Sequence, residues 1–175
     1  EFNFDKKLVL ILSCLLTGYF LFSIGPTTNA DSIDYHVGVA ISIINNSGFA
    51  VTPEWFHSRL AGSGEVLNAL GLIIGAEQFG SLLQFIGLIS IASIIYCIRG
   101  DVSEGESHWK LTLVLALLCA PVFIFLTGSA KPQLLPLAMT SLAMALLVMP
   151  FSNTFKARDR VLNFGLISLL VMSSV

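Results

Sequence analysis

The run Leu8-Val9-Leu10-Ile11-Leu12-Ser13-Cys14-Leu15-Leu16-Thr17-Gly18-Tyr19-Phe20-Leu21-Phe22-Ser23-Ile24 carries no charge, and just beyond it stands Asn29-Ala30-Asp31-Ser32-Ile33-Asp34-Tyr35-His36. A bilayer core needs about 20 apolar residues per helix, with roughly 17 to 25 tolerated. The first stretch therefore reads as a spanning helix, and the second as a polar cluster delivered to the membrane surface. Lys6-Lys7 ahead of the run would also suit a secretory signal. The run is longer than a usual signal core, however, no small-x-small cleavage pattern closely follows, and more apolar runs come after it. A retained anchor helix is the reading adopted.

Composition points the same way. The chain is 55% hydrophobic and 11% charged, with a mean hydropathy of +0.84, against roughly 25% charged residues in a soluble domain. Further runs near spanning length occupy 79–98, 111–127 and 134–149, and another opens near 161 and is still apolar at Val175. The expected fold class is all-α: a polytopic transmembrane helical protein, one membrane domain over 1–175, with interfacial helices in the long segment 25–78. The chain begins without Met and stops inside an apolar run, so it reads as part of a longer protein.

With the N-terminus in the cytoplasm, Lys6, Lys7, Arg99, Lys110, Lys156, Arg158 and Arg160 face inward and only Arg59 and Lys131 outward. That is the split the positive-inside rule asks for. Segment 25–78 is then extracytoplasmic, on the periplasmic side of the inner membrane in a bacterium. No basic stripe suggests a nucleic-acid partner. Cys14, Cys97 and Cys119 fall within or at the ends of apolar runs without metal-ligand spacing, as small apolar fillers do.

A loop of about fifty residues is too long to lack structure of its own, and loops of that length tend to be functional. Ile33, Val37, Ala40, Ile41 and Ile44 share one face of an α-helix, and Asn45-Asn46-Ser47-Gly48 supplies its stop. Such a helix can lie in the interface with its apolar face down. After Pro53, the aromatic and basic stretch 55–59 suits the headgroup level. A Gly62-Ser63-Gly64-Glu65 turn leads into a second helical stretch from 66 toward 76.

Asp31 stands at the start of the first of these helices, with Asp34 one turn on. A carboxylate fixed there can abstract a proton from an acceptor hydroxyl, or hold a divalent cation through oxygen ligands. Asp is also a favoured N-cap, and an Asp-x-x-Asp pair complements the helix dipole with no catalysis at all. The roles are not exclusive. Tyr35 and His36 suit either substrate binding or interfacial anchoring, and His36 and His57 lack the spacing of a zinc site. If their loops meet, Arg59 and Lys131 make a positive pocket for a lipid phosphate or pyrophosphate, to which the Gly62–Gly64 turn could add backbone donors. The alternative for each is a snorkelling surface charge. Glu54, Glu65 and Glu77 read as solvated or interfacial.

Three landmarks carry a resemblance. The stretch 29–36, with its Asp-x-x-x-Tyr-His pattern, Pro53-Glu54-Trp55-Phe56-His57, and Gly128-Ser129-Ala130-Lys131-Pro132-Gln133 look similar to those of poorly characterised bacterial members of the GT-C-type integral-membrane glycosyltransferases. The resemblance implies a GT-C-like fold and transfer of a sugar from a polyprenyl-phosphate donor to a lipid, glycan or protein acceptor. It implies Asp31 as general base and Lys131 as a contact to the donor phosphate; beside them, Tyr35, His36, His57 and Arg59 are the candidate substrate-binding residues, with the phosphate near Arg59 and Lys131. Two features depart from it. Ser32 follows Asp31 where the family often pairs two carboxylates, which leaves Asp34 to share the role, and the family's later helices are absent.

Two other classes compete. A secondary transporter would place ionisable or broken-helix features at mid-membrane depth, and the middles of the four complete runs hold no charge. A non-catalytic scaffold or polysaccharide-assembly subunit would depend on the apolar faces and tolerate loss of Asp31 and Asp34.

Overall fold

The structure is a computed structural model that describes residues 3–49, 54–59, 61–97, 104–148 and 166. Every element among them is helical: α1 (Asn3–Ser23), a π-helical turn (Ser32–Val37) running into α2 (Gly38–Asn45), a 3-10 turn (Phe56–Arg59), α3 (Ser63–Ile73), α4 (Phe79–Cys97), α5 (Glu104–Leu118), α6 (Pro121–Thr127) and α7 (Leu134–Val148). Two helices, Lys6–Ser23 and Phe79–Cys97, are long and apolar enough to cross a bilayer, and a third span results if the bent pair α5–α6 is one. Of the run expected from 161 onward only Leu166 is described, as helical and exposed, and Pro53 lies outside the described residues.

The first helix exposes Val9, Leu10, Ile11, Leu21 and Phe22. A helix apolar all round needs lipid or protein on every side. Tyr19 turns inward from it to a core of Leu88, Ile91 and Ala92 on α4, Val114 and Leu118 on α5, Leu126 on α6, and Leu134 and Ala138 on α7. At the centre stands α4, and its closest neighbour is α7. A Cβ at Gly87 would lie 2.5 Å from the Leu134 carbonyl carbon. That approach is open to glycine alone, the small-residue contact by which membrane helices pack.

The stretch 111–127, expected as one unbroken span, is instead broken and bent by 62°. Pro121 is the cause. Proline has no N–H, its ring clashes with the carbonyl four residues back, and it drives the preceding residue out of the α region; Ala120 is extended, at φ −74° and ψ 127°. In an unbroken helix the Leu118 carbonyl would accept from residue 122; here the Tyr19 hydroxyl donates to it. A backbone carbonyl freed in an apolar setting requires such a partner. The helix over 134–149 is described as Leu134–Val148, 15 residues, about 22 Å at 1.5 Å per residue. That is shorter than the roughly 30 Å of a hydrocarbon core.

The helix expected over 33–44 is present. Of its apolar face, Ile33 and Ile41 are about half exposed and Ala40 is buried, together with Ser32, His36 and Val39. A π turn opens it. The Gly38 N–H bonds to the Ile33 carbonyl, five residues back, and the wider turn moves Ile33 out of register with the α-helical residues after it. The stop is as expected: Ser47 N–H bonds to Ile44 O at 3.2 Å and Gly48 N–H to Ile43 O at 3.0 Å. Positive φ values of 53° and 156° complete a Schellman-type ending. Trp55 seats its ring on Gly38, where a Cβ would lie 3.3 Å from it, and so ties the 54–59 segment to this helix.

Candidate functional site

Three polar side chains hold one end of the bundle together. Asn68 of α3 donates from Nδ2 to the Ala130 carbonyl at 3.0 Å. Gln84 of α4 is 1% exposed, and its Oε1 accepts the N–H groups of Gln133 at 3.1 Å and Leu134 at 2.7 Å. The first N–H groups of a helix lack intrahelical partners, so Gln84 caps α7 from a neighbouring helix. Ser129 closes the turn on itself by donating to Leu126 O at 2.8 Å. Gly64 lets α3 rest directly on the Pro132 ring, where any Cβ would collide. The turn 128–133 is thereby fixed against α3 and α4, with Lys131 at its apex.

Lys131 forms an ion pair with Asp31. Its ammonium also sits 5.1 Å from the centre of the Phe125 ring, a cation–π distance. Asp31 does not cap the helix it opens; no side-chain cap bond is made from it. Asn29 takes that part, with Oδ1 accepting the Ser32 N–H at 3.2 Å. Asp31 is left for Lys131, whose hydrogen bond and charge hold the Asp31 carboxyl below the usual carboxylate range.

Behind this pair lies a buried one. His36 Nδ1 is 2.8 Å from Glu65 Oε1, and Glu65 Oε2 accepts the Gly62 N–H at 2.8 Å. Burial pushes the Glu65 carboxyl up, but the bonds from His36, Gly62 and its own N–H outweigh it, and the group stays below its ordinary value. Tyr35 stacks between two imidazoles, 4.2 Å from the His36 ring and 4.9 Å from that of His57. Burial first, and then the carboxylates of Glu65 and Asp31, raise the Tyr35 phenol. His57 Nδ1 is 3.2 Å from Asp34 Oδ2 without the geometry of a hydrogen bond.

Asp31, Tyr35, His36, Glu65 and Lys131 line a single open cavity of ≈ 1280 Å³ that continues over Leu83, Leu135 and Met139. The π turn makes this possible. Residues four and five apart share a side of so wide a turn, so Asp31, Tyr35 and His36 face the cavity together, whereas an α-helix would turn His36 away. Of the other residues singled out by sequence, Asp34 and His57 pair beside the cavity. Arg59 is exposed on the 3-10 turn and is not among the lining residues. The pocket expected between Arg59 and Lys131 is thus formed instead by Lys131 and Asp31.

Glu65, expected to be solvated or interfacial, is 3% exposed. The signal was present: Gly62 and Glu65 stand at the spacing by which a third-position Glu reaches back to the N-cap N–H. Among the described residues no group of three or more His, Cys, Asp or Glu side chains is placed to hold a metal ion.

The chain is thus an all-helical domain with spans of membrane length and a polar cavity at one end. It belongs to the family defined by the DUF1420 N-terminal domain, whose model matches residues 2–175. No curated protein and no solved structure matches it.

Proposed function

We propose that this domain is the N-terminal part of a polytopic, GT-C-like membrane glycosyltransferase of the bacterial inner membrane. It would move a sugar from a polyprenyl-phosphate donor to an acceptor on the extracytoplasmic side, with its N-terminus cytoplasmic. The observation that carries this reading is the meeting of Asp31 and Lys131, from distant parts of the chain, at one cavity that joins a polar end to an apolar wall. A lipid-linked sugar phosphate has the same two halves.

In this reading the donor phosphate competes with Asp31 for the Lys131 ammonium. Phosphate binding then frees the Asp31 carboxylate at the place where the acceptor arrives. Asp31 takes the acceptor's hydroxyl proton, the acceptor oxygen attacks the anomeric carbon, and the carbon–oxygen bond to the phosphate breaks in a single inverting displacement. The electron pair leaves with the phosphate, opposite Lys131. A general base contributes typically 10²–10⁴-fold. Asp31→Asn in the full-length protein should lower transfer from a ¹⁴C-labelled polyprenyl-phosphate hexose in isolated membranes by roughly that factor, with insertion unchanged. Wild-type turnover in that variant would remove Asp31 from the chemistry and favour a scaffold role.

A further inference from the structure

Glu65 has no free oxygen: one takes the Gly62 N–H, the other His36 Nδ1, each at 2.8 Å. An ionised carboxylate only accepts. Nδ1 must then carry a proton, which leaves Nε2 as the ring nitrogen turned away from Glu65, an acceptor in the neutral ring. The ring is also fixed in direction, because His36 is 7% exposed and Tyr35 stacks on it at an interplanar angle of 25°.

The groups around it are Asp31 and Tyr35 on its own helix, Glu65 from α3, His57 from the 3-10 turn, and Lys131 from the α6–α7 turn. Among the described residues nothing further hydrogen-bonds to this ring. Two neighbouring groups on the polar wall are already engaged: Asp31 by Lys131, and Gln84 Oε1 by two backbone N–H groups. A cavity-lining acceptor with fixed tautomer and fixed direction has a ligand hydroxyl as its complement.

We infer that Glu65 positions His36 to accept a hydrogen bond from a hydroxyl of a sugar head group held in the cavity. Glu65 is then a positioning residue and His36 a recognition residue. The inference rests on the transferase reading above, in which Lys131 takes the phosphate attached to that sugar. It adds what that reading lacks, the group that tells a sugar-bearing lipid phosphate from a bare one.

The test uses the full-length protein in nanodiscs with ¹⁵N-labelled histidine. It is titrated with polyprenyl phosphate bearing glucose, galactose or mannose, and with sugar-free polyprenyl phosphate. The expected result is an Nδ1-protonated His36 in the free protein, and an Nε2 resonance moved by at least one sugar-bearing lipid but not by the bare one. Glu65→Gln keeps the volume and an acceptor for Gly62. It should mix the tautomers and weaken that sugar-lipid's binding about tenfold, the loss of roughly one hydrogen bond, while bare lipid phosphate binds within about twofold of wild type. His36→Gln, which offers an amide oxygen, should recover more binding than His36→Leu. An Nε2-protonated ring in the wild type, an equal shift from the sugar-free lipid, or equal weakening of both lipids by Glu65→Gln would overturn the inference. A sugar-bearing lipid that binds without moving His36 sinks it alone. If neither lipid binds, the transferase reading fails and the inference falls with it.

Discussion

The two halves of α4 are held by different physics. Toward Cys97, Leu88, Ile91 and Ala92 meet Tyr19, Val114, Leu118 and Ala138 by shape alone. Toward Phe79, Gln84 and the neighbouring Asn68 each take a named backbone group on the 128–133 turn. Between helices in lipid, apolar contact gains little over lipid contact, so the apolar half fixes proximity more than register. Register comes from the polar half, and the cavity with its charged pairs sits there.

The comparison is broken most directly at Gln84. Gln84→Leu strands the N–H of Leu134, while that of Gln133 keeps its bond to the Lys131 carbonyl at 2.9 Å. At about 1–3 kcal/mol per unsatisfied group, a loss of about 1–3 kcal/mol is expected. Ile91→Val in the apolar half should cost only about 1 kcal/mol. Reversible unfolding in mixed micelles reads both, and equal losses would dissolve the distinction. Tyr19→Phe is the intermediate case. It leaves the apolar packing intact but withdraws the donor from the Leu118 carbonyl at the Pro121 break. A loss of about 1–2 kcal/mol is expected, with faster hydrogen exchange confined to the segment around 118–122.

The smallest effect expected near neutrality is that of pH. Asp31 and Glu65 both have carboxyls held below their ordinary values of 3.8 and 4.5 in the folded chain. A depressed carboxylate contributes stability that is complete above its unfolded value and lost as pH falls through the folded one. The amides of the 128–133 turn should therefore keep the same protection, relative to their intrinsic exchange rates, at pH 7 and pH 5.5, and lose it only below the ordinary carboxylate values. Loosening between pH 7 and 5.5 would mean that these carboxylates are not what ties the turn down.

Much of this architecture is legible in the residues themselves. The spans of α1 and α4 follow from uncharged length, and the end of α2 from Asn46-Ser47-Gly48. The break at Pro121 follows from the proline rule, but an apolar run of spanning length masks it when hydropathy alone is read. The π turn is not legible. It packs against Trp55, seated on Gly38, and against α3, contacts that no local pattern encodes. The burial of Glu65 is half legible, since its spacing from Gly62 is a capping signal, but the partner His36 comes from a separate segment. Likewise Lys131 stands out as an isolated cation, whereas its choice of Asp31 over Arg59's neighbourhood is decided by Asn68, Gln84 and Gly64 holding its turn.

The central claim is that Asp31 and Lys131 face each other across the mouth of one cavity. With Cys14, Cys97 and Cys119 replaced by alanine, Asp31→Cys/Lys131→Cys in the full-length protein can be treated with a short bismaleimide in native membranes. Intramolecular cross-linking of that pair, and its absence in an Arg59→Cys/Lys131→Cys control, is the predicted result. Reactive but uncross-linked cysteines at 31 and 131 would contradict it.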